Sequence, residues 1–477
     1  MKISVTVSLA AFFCTLASAQ PTIERRFADG VSQEQLQQTV RDLVGFGPRQ
    51  GGTRSGDAAV SYLVKQFRQA GLKTEILEDP ERLTFAIDKW TLKVLKPRSL
   101  AKVIRHEWLA GYSPSVSRKT ARLSSLSSSD GLEKQRVEST AVLVEANLAG
   151  KIYGQLSAAG ARCLLVWTHV NSDAYKDCAQ ITSLPRRADN PIPVFNISRN
   201  TAQSLQAALR ESLGVLIEFS TKTKIKKGKS KTVIATLQGK SKDYFVVCAH
   251  GDSDSGGPGA DDNASGVAGV LELAKVLNLM VRSRSIRQPD STIKFIVWGS
   301  EYASSENFVK QRGDGLRNTV GVLNFDEIGT GATRNCIYFE GNDNKVNEPL
   351  LATLKKVGED YVGKKSYWKE ATTNASQGGT DSYVFLPNYL SRLGVTVVNI
   401  PSVTVYTAAW EEPRSIYQPR EWRTSAWKGV QDTVVIDYSL YYHSSLDIPA
   451  LTTDKEPFNM VWGVKAVGIA LLRLAWK

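Results

Sequence analysis

Residues 244–252 read Tyr244-Phe245-Val246-Val247-Cys248-Ala249-His250-Gly251-Asp252. An unbroken apolar run that ends on a histidine and an aspartate describes a strand buried on both faces, stopping where chemistry can begin. The neighbouring runs 232–237, 292–298 and 319–325 have the same apolar, β-branched texture and read as further strands. Between them, residues 264–280 set Val267, Val270, Leu271 and Ala274 on one helical face. Downstream, 349–361 reads as a helix with proline in its first turn, 395–400 as a strand and 459–476 as a closing helix. Strands alternating with helices predict an α/β fold on a mostly parallel, helix-covered mixed sheet. Ligands of such sheets gather at the carboxyl ends of the strands.

Upstream, 32–46 is an amphipathic helix (Leu36, Val40, Leu43), broken at 47–52 and followed by a second at 57–70 and a strand at 72–77. From 96 to 230 the texture changes. Residues 123–130 are serine-rich and read as a loop, 141–144 and 163–167 as strands, 151–160 and 201–213 as helices, 191–197 as extended chain and 215–219 as a strand. The expected division is therefore 20–95 with 231–477 as one domain, carrying 96–230 as a β-rich insert. A chain of 477 residues is too long for one ordinary core, which agrees with this division.

Lys2, the apolar stretch 3–16 and Ala17-Ser18-Ala19 form a signal-peptide pattern with cleavage after Ala19, so the expected destination is secreted or periplasmic. No later stretch approaches about 18 uninterrupted apolar residues, so no integral membrane segment is expected. In that oxidising setting Cys163 and Cys178 are placed to bridge, though spacing does not fix the pairing. The net charge of +13 owes much to Lys222, Lys224, Lys226, Lys227, Lys229 and Lys231. Without interleaved aromatic residues this run is unlike a single-strand stacking platform, and it reads as a solvated loop rather than a nucleic-acid site.

Chemistry concentrates at the predicted strand ends. Asp252 lies two residues past His250, on the same side of an extended chain, and can orient the imidazole. Gly259-Ala260-Asp261-Asp262-Asn263-Ala264-Ser265-Gly266 is an acidic turn opening a helix, with more acid than a helix cap needs. Glu301 and Asp326 follow buried strands, and His443 follows Tyr441-Tyr442. Any one of these acids is explained by a cap or a solvated turn. Together they form a His/Asp/Glu set without thiolates, which suits zinc.

The order His-x-Asp, Gly-Ala-Asp-Asp-Asn-Ala-Ser-Gly, Gly-Ser-Glu, Asn-Phe-Asp and Tyr-His-Ser-Ser-Leu-Asp resembles the co-catalytic zinc aminopeptidase family. That family includes secreted leucyl aminopeptidase, carboxypeptidase Q, and the glutamate carboxypeptidase and transferrin receptor branch. Gly47-Pro48-Arg49 and the leader 233–239 fit it too, and 96–230 resembles the protease-associated domain of several members. The resemblance implies a secreted zinc exopeptidase acting on peptide or small aminoacyl substrates. Asp262 would bridge two ions, His250 and Asp326 would complete one site, and His443 would serve the second. Glu301 would be the general base, Asp252 would orient His250, and Asp381 matches a further acidic position.

One departure bears on the metal count. The family usually has two consecutive glutamates, whereas this chain reads Glu301-Tyr302. The second position then keeps Asp262 and His443, with Tyr302 or Glu306 as possible replacements. The expectation is one firm zinc site and a weak or absent second. The competing readings are a pseudo-peptidase acting as a binding ectodomain and a glutaminyl cyclotransferase.

Overall fold

The computed structural model describes residues 22–129, 137–168, 174–330, 336–341, 344–374, 380–396, 399–411, 435–437 and 441–477. The expected leader, His169, Trp422 and most of the segment 406–432 lie outside the described residues. The chain opens with helices α1 (Ile23–Gly30), α2 (Gln33–Gly45) and α3 (Arg54–Gln69). Ser32 and Thr53 start α2 and α3, their hydroxyls accepting the backbone N–H of Gln35 and Gly56. Leu36, Val40 and Leu43 of α2 and Leu63 and Phe67 of α3 face the main core, as their spacing predicts. Strand β1 (Lys73–Glu78) follows.

The next seven strands are β2 (Arg82–Lys96), β3 (Trp108–Leu109), β4 (Val116–Leu126), β5 (Thr140–Glu145), β6 (Cys163–Trp167), β7 (Val194–Asn196) and β8 (Leu216–Gly228). They form a sheet of their own in the order β2-β8-β4-β5-β6-β7-β3. Helix α4 (Ala146–Ala158) covers one face through Ile152 and Leu156, packed with Val142 and Val144. Helix α5 (Arg199–Arg210) covers the other through Ala202 and Leu205, packed with Leu143 and Phe195. The alternation of Val142, Leu143 and Val144 between the two faces is the period-two signature of a strand. The division expected at residue 96 falls at the end of β2, whose whole length pairs with β8.

Three local expectations are corrected. Residues 123–126 are strand, not loop, because β4 pairs with β5 there, with Leu123 and Leu126 buried in the clusters on opposite faces of the sheet. The lysine run is not a solvated loop. Its first four members lie on β8, where Thr221, Thr223 and Ile225 alternate inward. Acidic partners face the run: Asp88 for Lys224 (3.4 Å), Glu81 for Lys227 (3.9 Å), Glu78 for Lys229 (3.3 Å) and Asp57 for Lys231 (2.7 Å). Finally, the strand expected at 395–400 begins later, at Ser402, after Pro401. Val395 and Ile400 are buried as loop residues.

The chain then completes the main sheet with β9 (Lys231–Leu237), β10 (Tyr244–His250), β11 (Thr292–Trp298), β12 (Thr319–Phe325), β13 (Cys336–Glu340), β14 (Glu370–Asn374), β15 (Ser402–Glu411) and β16 (Val435–Asp437). Among the described residues its order is β1-β9-β11-β10-β12-β15-β13-β14, with β16 on β15. The centre is parallel: β10 runs with β11 and β12, and β12 with β15. All seven residues of β10 are buried, as the opening stretch predicts. One face carries α1 to α3, α6 (Gly266–Arg282), α8 (Glu348–Tyr361) and α9 (Phe458–Ala475). The other carries α7 (Ala303–Arg312) and the buried residues Val384, Phe385 and Leu390.

The helical segments Ala260–Arg282 and Phe458–Ala475 are long and apolar enough to cross a membrane, but both are mostly buried inside the protein. Helix α9 buries Lys465 by directing Nζ to the Ser366 carbonyl (3.1 Å) and over the Tyr367 ring. Cys163 and Cys178 form no bridge and sit in different apolar clusters. Asn196-Ile197-Ser198 and Asn374-Ala375-Ser376 fit the N-glycosylation acceptor pattern of a eukaryotic host; Asn196 is buried, its Oδ1 accepting from Thr182 (2.7 Å). The acceptor at 374–376 runs into undescribed residues.

Candidate metal centre

The central strands end in register. His250 of β10 lies opposite Trp298 of β11, and Cys248 lies opposite Asn324 of β12. His250, Glu301 and Asp326 therefore leave adjacent strands at one edge of the sheet. His250 Nε2 is 3.2 Å from Asp262 Oδ1 and 3.6 Å from Asp326 Oδ1. These three buried donors lie within 4.8 Å of one another. On the other side of the ring, Nδ1 is 3.3 Å from Asp252 Oδ1 and 3.2 Å from the Asp252 carbonyl. The same Oδ1 accepts the Glu301 backbone N–H (2.9 Å). One Asp252 side-chain oxygen thus meets both the His250 ring and the turn that carries Glu301.

Asp262 faces both histidines, with Oδ2 2.9 Å from His443 Nε2. Its turn, Ala260–Ser265, is held from three sides. Asp447 accepts the backbone N–H groups of Asp261 (2.8 Å) and Asp262 (3.1 Å). Asp261 turns away from the cage to accept from Gly329 N (2.8 Å) and Thr330 Oγ1 (2.6 Å). Asn263 donates to the Phe325 carbonyl (2.9 Å). The paired aspartates of the sequence thus divide the work between a cage donor and a brace. Beneath them Arg49, 1% exposed, donates to the carbonyls of Gly251 (3.0 Å), Pro258 (3.0 Å) and Gly259 (2.7 Å), joining the His250 loop to the Asp262 turn.

Asp326 Oδ2 accepts from Thr380 Oγ1 (2.7 Å), which accepts in turn from Asn324 Nδ2 (2.7 Å). Its other oxygen, Oδ1, is buried and has no hydrogen-bond partner among the described residues. Asp381 accepts the Tyr302 N–H (3.2 Å) on Oδ1, and its Oδ2 is likewise buried and without a partner.

The charge balance is one-sided. Burial works against a charged His250, yet its contacts with Asp252, Asp262 and Asp326 outweigh this and hold the imidazole well above its ordinary range. Burial would also raise Asp262, but His250 and His443 hold it well below the usual carboxylate range. Elsewhere burial prevails. Glu301 is pushed well up by burial, against His250 and with Asp381, Asp326 and Asp262, and Asp381 is pushed up to about 7. Glu327, buried with φ +47°, is also pushed well up by burial and by Asp262, Asp261, Asp326 and Asp447. Crowded acids with unpartnered oxygens are what a divalent cation would relieve. A cage of one imidazole and two carboxylates, without thiols, fits zinc.

The two possible replacements at the second position have different surroundings. Burial, reinforced by Glu301 and Asp381, pushes the Tyr302 phenol up in the metal-free protein. Glu306 accepts from Tyr389 (2.6 Å) and lies 3.9 Å from Lys310, so its carboxylate is engaged away from the cage. Trp298, the last residue of β11, is buried and packs edge-on against Phe308 (5.4 Å). Sequence reasoning missed the roles of Glu327, Asp447 and Arg49. Glu327 had a signal in its place beside Asp326. Arg49 and Asp447 bond to backbone groups, which no spacing reveals.

Residues 232–455 match the family model of peptidase family M28. The probable lipoprotein aminopeptidase LpqL of Mycobacterium tuberculosis is 26% identical over 394 residues, 80% of this chain and 73% of that protein. An aminopeptidase of Pseudomonas aeruginosa is 27% identical over 223 residues, 45% of this chain and 39% of that one. A peptidase M28 precursor from Shewanella amazonensis superposes with a TM-score of 0.64 at 18% identity, over 95% of this chain and 96% of that one. A zinc aminopeptidase from Bacillus subtilis gives 0.60 at 19% identity, over 94% and 96%. At these identities the structures establish a shared fold. The five cage segments all fall within 232–455, the part of the chain that matches the model of peptidase family M28.

Proposed function

We propose that this chain is a secreted zinc-dependent aminopeptidase. The observation that carries the reading is the cage of His250, Asp262 and Asp326, with Glu301 tethered beside it through Asp252. His250, Asp262 and Asp326 would hold one zinc ion, and Asp262 with His443 marks a weaker second position. When bound, zinc supplies Lewis acidity toward a carbonyl oxygen and toward water.

The remaining chemistry belongs to the chain. Glu301 takes a proton from water as its oxygen adds to the scissile carbonyl carbon. Glu301 then gives that proton to the amine nitrogen as the C–N bond breaks. Asp252 keeps Glu301 and His250 in fixed relation through both transfers. Burial, against His250 and with the neighbouring carboxylates, raises Glu301, and positive charge in the cage would shift it back toward the ionised form a base needs. The sheet of β2 to β8 is read as the inserted, protease-associated-like domain.

The test is hydrolysis of an aminoacyl anilide by purified protein before and after zinc is stripped by a chelator. Activity lost on stripping and restored by zinc supports the proposal. A zinc-loaded protein inert toward a panel of aminoacyl anilides would instead favour the binding-ectodomain reading, to which Tyr302 points.

A further inference from the structure

His443 is held in an unusual way. Its φ is +47°, a left-handed conformation uncommon for residues with a side chain and kept only where the surroundings enforce it. The enforcing contacts come from the second sheet. Residues 174–184, between β6 and β7, are tied to that sheet by Leu184 N to the Gly111 carbonyl (3.0 Å) and by Thr182 to Asn196 (2.7 Å). Their other edge runs antiparallel to the His443 segment, with Gln180 opposite Ser444. Ile181 N donates to the His443 carbonyl (2.8 Å), and Ser445 N donates to the Ala179 carbonyl (3.0 Å).

Side chains reinforce this pairing. Tyr175 Oη donates to the Tyr442 carbonyl (2.7 Å), and Ser445 Oγ donates to the His106 carbonyl (2.6 Å) while accepting from Ala179 N (3.2 Å). Tyr175 and Cys178 are buried against Tyr441, Tyr442 and Leu446. The Tyr442 ring stacks on the imidazole at 3.6 Å. Every bond to a main-chain group on either side of His443 thus fixes where its Nε2 meets Asp262.

We propose that the second sheet is a working part of the metal centre. Through residues 175–181 it positions His443, so that metal uptake at the His443 position depends on a segment from outside the main sheet. The inference rests on the reading of His443 as a ligand. Tyr175, Ala179, Ile181 and Ser445 are positioning residues that reach the metal only through His443. None of the four is a donor of the His250, Asp262 and Asp326 cage, which meets this segment of chain through Asp447.

The experiment is titration of metal-free full-length protein with zinc by calorimetry, for the wild type, His443→Ala, and the double variant Tyr175→Phe with Ser445→Ala. Thermal melts check that each variant is folded. The expected result is a first equivalent unchanged within about twofold throughout, a second lost in His443→Ala, and a second weakened about tenfold in the double variant. If the double variant binds the second equivalent as the wild type does while His443→Ala loses it, the clamp is wrong. Equal weakening of both equivalents would also overturn it, as general destabilisation. If His443→Ala takes up zinc like the wild type, the reading of His443 as a ligand has failed, and the clamp with it.

Discussion

Asp252 Oδ1 accepts the backbone N–H of Glu301 at 2.9 Å and lies 3.3 Å from Nδ1 of His250. One oxygen therefore sets both the orientation of a cage imidazole and the place of the residue proposed as base. Asp252→Asn keeps the shape and an acceptor but removes the charge that supports the imidazole. It is expected to lower zinc affinity or kcat/KM about 10–100-fold. Chelator competition and steady-state kinetics measure this, and wild-type values in both would dissociate Asp252 from the site.

Tyr302 stands where a carboxylate would complete the second position, and its phenol is held protonated. Tyr302→Glu is expected to tighten the second zinc equivalent at least about tenfold, or about 1.4 kcal/mol. Metal analysis after dialysis would then rise toward two ions per chain. A stoichiometry unchanged from wild type would show that the position lacks more than this carboxylate.

Arg49, itself buried, joins two loops through three backbone carbonyls. Arg49→Met leaves those carbonyls without their donor, at about 1–3 kcal/mol each when buried. The expected destabilisation is about 3 kcal/mol or more by urea unfolding. A loss under about 1 kcal/mol would mean that the loops hold without it.

The metal-free protein should be less stable at neutral pH than in mild acid. Asp261 and Asp381 are both raised from 3.8 to about 7 in the folded chain, burial being the main cause. Between those values the folded state holds more protons than the unfolded one, so stability falls as pH rises from about 4 to about 7. Zinc opposes this trend because its ligands must be deprotonated. The gain in Tm on adding zinc should therefore grow from pH 5.5 to pH 8. A gain that shrinks over that range would contradict the acid-crowded cage.

Much of this arrangement was legible in the sequence because it follows from strand ends. The runs before His250, Glu301 and Asp326 are unmistakable apolar strands, and parallel neighbours must end together. The rest depends on partners that composition hides. The lysines of 222–231 read as a loop because the acids that meet them, Asp57, Glu78, Glu81 and Asp88, lie more than a hundred residues away in the chain. Glu306 read as a reserve ligand because a helix register does not tell which way its carboxylate is drawn, and Tyr389 draws it away. The clamp on His443 joins segments far apart in the chain, and its acceptors are main-chain groups or serine and tyrosine contacts that no local pattern announces.

The central claim is that Glu301 moves the proton beside a cage it does not itself build. Glu301→Gln tests it most directly, with zinc content and aminoacyl-anilide turnover measured on the same preparation. The account predicts unchanged zinc and a kcat lower by about 10²–10⁴-fold. Turnover at the wild-type rate, with zinc still bound, would contradict it.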